Sequence, residues 1–107
     1  MTPDERALLK HQATVRAGLP GQVRDAAATV KDAITAARLA RVVVAPQLDH
    51  AAALLDRCAG DLDRLVEREH REREATGESP VDQQARIERA YWELRRSARP
   101  GEGGAGP

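Results

Sequence analysis

The sequence predicts an all-α fold. Long heptad-patterned helices form an antiparallel helical hairpin or a kinked coiled-coil-like helix, with short N-terminal and C-terminal helices, in a small helical bundle. Three observations carry this prediction. An apolar stripe runs from Val23 to Leu65 at helical spacing. Two segments carry helix-start grammar, Thr2-Pro3-Asp4-Glu5 and Ser79-Pro80-Val81-Asp82. The 107 residues include one Trp, one Tyr and no Phe, so Ala, Val and Leu must fill the core, which suits close helix packing better than a sheet.

The first helix starts at Thr2, which reads as an N-cap, with Pro3 at the first helical position and Glu5 completing a capping box. Its apolar side carries Leu8, Leu9 and Val15, with Gln12 between them. The pattern Gly18-Leu19-Pro20-Gly21 packs two glycines and a proline into four residues, and predicts that this helix stops near residue 17.

The middle of the chain is the most regular. Val23, Ala27, Val30, Ile34, Ala37, Arg41, Val44, Leu48, Ala51, Leu55, Cys58, Leu62 and Leu65 follow one another at alternating steps of four and three. All but Arg41 are apolar, which is the repeat of a coiled coil or a long bundle helix. Ala26, Ala33, Ala40, Ala52, Ala59 and Val66 widen the stripe, as a bundle helix requires.

Pro46 interrupts this stripe and allows two readings. Inside a helix it removes one backbone bond and clashes with the preceding turn, at a cost of about 3 kcal/mol. Either the helix kinks there and continues, or the chain turns between Val44 and Leu48 and two antiparallel helices pack together. The unbroken spacing favours the kink. The proline and the distribution of charge favour the hairpin, and together tip the reading slightly that way. Residues 1–45 carry seven basic and four acidic side chains, a net +3, while residues 46–75 carry five and eight, a net −3. Segments of opposite sign attract when packed side by side.

Gly60 lies inside the second half of the stripe, but the spacing from Leu55 to Leu62 carries across it. The run from Glu67 to Glu74 reads as a solvated helical end that Thr76-Gly77-Glu78 closes. The last helix is expected over 80–98. Ile87, Tyr91, Leu94 and Ala98 share one face, and Val81, Ala85 and Trp92 form a shoulder. A single domain over 1–99 and a flexible Gly-rich tail over 100–107 complete the expectation.

Composition narrows the function. The formal net charge is zero, so the surplus of positive charge that phosphate binding needs is absent, and nucleic acid is not the favoured partner. No apolar run approaches the roughly 20 residues that span a bilayer, so no membrane partner is expected. Cys58 is the lone cysteine, which rules out an intrachain disulfide. With a polar, acidic N-terminus unlike a signal peptide, the expected location is cytoplasmic. Lysine occurs only at Lys10 and Lys31 amid abundant Arg, a bias resembling high-GC bacterial coding.

Few residues carry chemistry. Glu67 and His70 match the Glu-x-x-His spacing of metal-binding bundles, but they fall opposite Leu62 and Leu65 and read as part of a solvated charge run. Cys58 lies on the stripe and reads as packing; His50 reads as surface and His11 as half-buried packing. No phosphate loop, Cys/His metal spacing or nucleophile elbow is present. No catalytic residue, metal or cofactor is expected. The expected function is a non-enzymatic helical interaction or assembly protein, a homo-oligomer or the binder of a helical partner. The expected partner-binding residues are Val30, Ile34, Leu48, Leu55, Leu62 and Leu65 on the stripe, with Tyr91, Trp92, Arg95 and Arg96 on the last helix. Trp, Tyr and Arg dominate interface hot spots. The alternatives are a nucleic-acid-binding regulator using the Arg-rich last helix and a metal-binding bundle centred on Glu67 and His70.

Overall fold

A computed structural model describes residues 1–98. The expected tail over 100–107 lies outside the described residues. The chain is all-α, with α1 spanning Pro3–Leu39, α2 Pro46–Thr76 and α3 Pro80–Ser97. Helices α1 and α2 pack together.

The starts of α1 and α3 are set by the expected caps. The Glu5 N–H donates to Thr2 Oγ1 at 3.1 Å, and the Asp82 N–H donates to Ser79 Oγ at 3.1 Å. Each bond satisfies an amide that the helix itself leaves without a partner, worth about 1 kcal/mol. Helix α2 ends at Gly77, whose φ of 74° lets its N–H reach the Arg73 carbonyl at 2.8 Å.

The expected end of the first helix near residue 17 is wrong. Helix α1 runs through Gly18-Leu19-Pro20-Gly21 as far as Leu39. The reason lies in the phase of the stripe. Counted backwards from Val23 at the same alternating steps, it passes through Pro20, Arg16, Ala13 and Leu9. Leu9 and Pro20 are buried, and Ala13, Arg16 and Val23 are half-buried. An interior proline costs about 3 kcal/mol and each glycine about 1 kcal/mol relative to alanine. Burying a Val or Ile side chain contributes about 1.5–3 kcal/mol. Val23, Ala27, Val30 and Ile34 all lie beyond the proline on the buried side, so continuing the helix outweighs breaking it.

Pro46 resolves to the hairpin. It is the first residue of α2, where its missing N–H costs nothing because that amide has no helical acceptor. The turn before it begins with a two-bond helix end: the Val42 N–H donates to the Ala37 carbonyl at 2.8 Å and the Arg41 N–H to the Arg38 carbonyl at 3.2 Å. This is the Schellman arrangement, and it needs a left-handed residue at the position after the cap. Arg41 takes it, with φ at 60°. Thus the one charged residue in the stripe never enters a helical core.

The described residues fall into two compact units. One comprises Thr14–Glu72, the hairpin of α1 and α2. Its buried apolar residues are Pro20, Ala27, Ile34, Ala52 and Ala59, and the three alanines allow the backbones to approach closely. In α2 the best-buried positions fall one residue later than expected. Ala52 and Ala59 take the centre, while Ala51 is half-buried and Cys58 is exposed. The other unit contains Met1–Ala13 and the described chain from Arg73 onward. It buries Leu9 together with Gln83 and Gln84. Gln83 Oε1 accepts from Arg73 Nη1 at 2.6 Å, whereas the buried Gln12 Oε1 accepts no hydrogen bond.

The continuity of α1 can be tested at its glycines. A methyl group at Gly18 or Gly21 would meet no atom within 4 Å. Gly18→Ala and Gly21→Ala are each expected to stabilise the protein, by up to about 1 kcal/mol in chemical denaturation, as interior helix positions gain from alanine. No gain at either site would contradict an unbroken α1.

Candidate interaction surfaces

Residues immediately after stripe positions form one flank of the hairpin. On α1 these are Arg24, Lys31 and Arg38, seven apart. On α2 they are Asp49, Asp56 and Asp63, also seven apart. The antiparallel register brings them together as Arg24–Asp63, Lys31–Asp56 at 2.5 Å and Arg38–Asp49 at 3.3 Å. All the positive charges come from α1 and all the negative ones from α2, so the opposite net charges of the two segments become individual contacts. A shallow groove along this flank, floored by Ile34 and Ala52, is bordered by Lys31, Arg38, Asp49 and Asp56. Their charges pair across it.

Arg16 and Glu69 make the best-formed pair. Arg16 Nε and Nη2 donate to the two Glu69 oxygens at 2.7 and 2.6 Å, and only 13% of the Glu69 side chain is exposed. The hydrogen bond to Glu69 raises the Arg16 pKa above its ordinary value, against the opposing effect of partial burial. Arg24 is raised in the same sense by its hydrogen bond to Asp63. In the other unit, Arg86 donates to Glu78 at 2.9 Å and lowers the carboxyl's pKa.

The stripe residues expected to bind partners are brought together inside the hairpin. Ile34 is buried, and Val30, Leu48, Leu55, Leu62 and Leu65 are half-buried. The expected residues of α3 are fully outside. Tyr91 and Trp92 are 49% and 52% exposed, and Arg95 and Arg96 are exposed beside Leu94 at 68%. The shared face expected for Tyr91 and Leu94 is therefore not a packing face. The buried part of α3 is its first half, at Gln83 and Gln84. Tyr91 and Trp92 meet edge to face with centroids 5.4 Å apart, and the Arg95 guanidinium lies 5.9 Å from the Tyr91 ring centre. Trp92 Nε1 donates to Glu88 at 2.9 Å. The indole and phenol thus contact each other on the surface, with Glu88 and Arg95 beside them.

The remaining candidates change little. His11 is exposed, not half-buried, and His50 is exposed as expected. Glu67 and His70 are both exposed, and Glu67 accepts from Arg71 at 3.2 Å. Among the described residues no group of three or more His, Cys, Asp or Glu side chains is placed to hold a metal ion, and no helix is long and apolar enough to cross a membrane. The ion-pair flank escaped the sequence reading, and Ala52 and Ala59 were expected at the edge of the stripe, not at its centre. The seven-residue spacing of basic side chains on α1 and of aspartates on α2 was the signal for the flank.

Comparison with known protein families, curated proteins and solved structures finds no match.

The two kinds of ion pair should differ in weight. Glu69→Ala strands the part-buried Arg16 and is expected to cost about 1–2 kcal/mol in urea denaturation, the range for losing charge-assisted hydrogen bonds. Asp49→Ala, at an exposed pair, is expected to cost below about 0.5 kcal/mol. Equal losses would contradict this ranking.

Proposed function

We propose that this protein is a non-enzymatic helical interaction and assembly protein that acts by self-association. One observation carries the reading. Among the described residues the buried apolar side chains are Leu9, Pro20, Ala27, Ile34, Ala52 and Ala59, whereas Val15, Leu39, Val42, Val43, Leu54, Tyr91, Trp92 and Leu94 are all exposed. Exposed apolar side chains that lie together, as Leu39, Val42 and Val43 do near the turn and Tyr91, Trp92 and Leu94 do on α3, mark surfaces that another protein can cover. The pairing of Tyr91, Trp92 and Arg95 on α3 adds a cluster with the composition of an interface hot spot. The proposed setting is the cytoplasm, where an exposed thiol such as that of Cys58 stays reduced.

The nucleic-acid reading is weaker because the formal net charge is zero and four basic side chains of the hairpin are paired with carboxylates. Arg16, Arg24, Lys31 and Arg38 all have acidic partners.

Self-association makes stability depend on concentration. Thermal unfolding followed by circular dichroism is expected to show a midpoint that rises by several degrees from 1 to 100 μM protein. Sedimentation equilibrium over the same range is expected to give a mass above the 11.6 kDa of one chain. A constant midpoint with the mass of a single chain would overturn the reading.

A further inference from the structure

Helix α3 is amphipathic, yet its own chain covers only the first half of its less polar side. Gln84, Ile87, Tyr91, Leu94 and the C-cap Ala98 follow one another on that side at steps of three and four. Gln84 is buried and Ile87 half-buried, while Tyr91, Leu94 and Ala98 are exposed. The charges of Asp82, Arg89, Glu93 and Arg96 fall on the opposite side. Two further charges, Glu88 and Arg95, border the uncovered part along one edge, seven residues apart. Each lies against an aromatic ring of the cluster: Trp92 Nε1 donates to Glu88 at 2.9 Å, and the Arg95 guanidinium is 5.9 Å from the Tyr91 ring centre. The other edge carries Ala90 and Ser97.

We propose that this uncovered face pairs antiparallel with the same face of α3 in a second copy of the chain, about a two-fold axis perpendicular to the helix. The proposal rests on the self-association reading and names the surface that serves it. Reversal about such an axis sets Tyr91 of each copy beside Leu94 of the other. It also lays the Glu88–Arg95 edge of each copy along that of the other, running in the opposite sense. Glu88 of each copy then faces Arg95 of the other, and two identical ion pairs close that edge. On the opposite edge Ala90 meets Ser97, where small uncharged side chains let the helices approach.

Charge selects both the occupant and its orientation. A parallel pair would set Glu88 and Arg95 of one helix beside Gln83 and Ala90 of the other, and would form no ion pair. A purely basic partner edge would repel Arg95, and a purely acidic one Glu88. The edge matches itself only when reversed. The covered stretch from Ile87 to Ser97 is about 16 Å long, so the contact falls short of the roughly 1,000 Å² of a standard specific interface. The expected pair is therefore weak, with a dissociation constant of about tens of micromolar.

The test is sedimentation equilibrium of the full chain from about 5 to 500 μM, beside Glu88→Arg and Arg95→Glu, each alone and the two mixed in equal amounts. Circular dichroism checks the helicity of each. The wild type is expected to dimerise. Either charge variant alone sets like charges against each other at both ends of the pair, and should associate at least about tenfold more weakly. In the mixture the two positive positions of one chain meet the two negative positions of the other, and association should return to about the wild-type strength. A purely local effect of either substitution on α3 would not be rescued by mixing. Leu94→Ala places a strong helix former at an exposed position. It should also weaken association at least about tenfold, and it carries the test if a charge variant loses helicity. A wild-type dimer that survives these substitutions, or a mixture no tighter than its components, overturns this surface and leaves self-association standing. A wild-type monomer throughout that range overturns both.

Discussion

The apolar stripes of α1 and α2 must meet in one antiparallel register, and the rest of the hairpin depends on that constraint. Once Ala27 and Ile34 face Ala52 and Ala59, the residues beside them have no freedom. Arg24, Lys31 and Arg38 fall opposite Asp63, Asp56 and Asp49. The exposed pairs contribute little stability individually. Their value lies in register: a shift by one heptad would leave charges unmatched at the ends, and a parallel arrangement would put the two charged rows on opposite sides of the helix pair. The alanines serve the same end. They bring the helix axes close enough for short aspartate side chains to reach across. Arg16 and Glu69 then fasten the hairpin further along with a bidentate, part-buried contact.

Much of this architecture was legible in the sequence because periodicity is a local signal. The stripe announced helices, and Pro46 together with the charge segregation announced the turn. The N-caps at Thr2 and Ser79 announced where two helices begin. Misreadings arose where a local breaker competed with a longer-range pattern. Gly18, Pro20 and Gly21 are strong punctuation in isolation, yet the stripe runs through them in phase, and the burial of Pro20 shows which force prevailed. Arg41 looked like a flaw in the stripe because the spacing continued across the turn by coincidence. In the fold it is the left-handed residue that ends α1.

The candidate interaction surfaces were legible only in composition. Tyr91, Trp92, Arg95 and Arg96 stand exposed on α3, where their residue types first drew attention. The stripe residues proposed for partner binding are instead gathered between α1 and α2, half-buried or buried. Cys58 was misplaced by one position, because periodicity identifies a face but its centre depends on how the opposing helix sits. That single-residue shift moved Ala59 into the core and Cys58 onto the flank without charge. The hairpin's two sides are therefore chemically distinct: one carries the three ion pairs between the helices, and the other is uncharged on α1 from Val15 to Ala40.

The central claim is that α1 and α2 close on each other across the Pro46 turn. The most direct test is a distance between spin labels at Ala28→Cys and Arg57→Cys in a Cys58→Ser background, with labelled chains diluted into unlabelled protein. Both sites are exposed, so labelling disturbs neither core nor ion pair. Adjacent antiparallel helices with axes about 8–10 Å apart predict a distance below about 25 Å. A continuous helix through Pro46 would place the labels about 44 Å apart, and a distribution centred there would contradict the account.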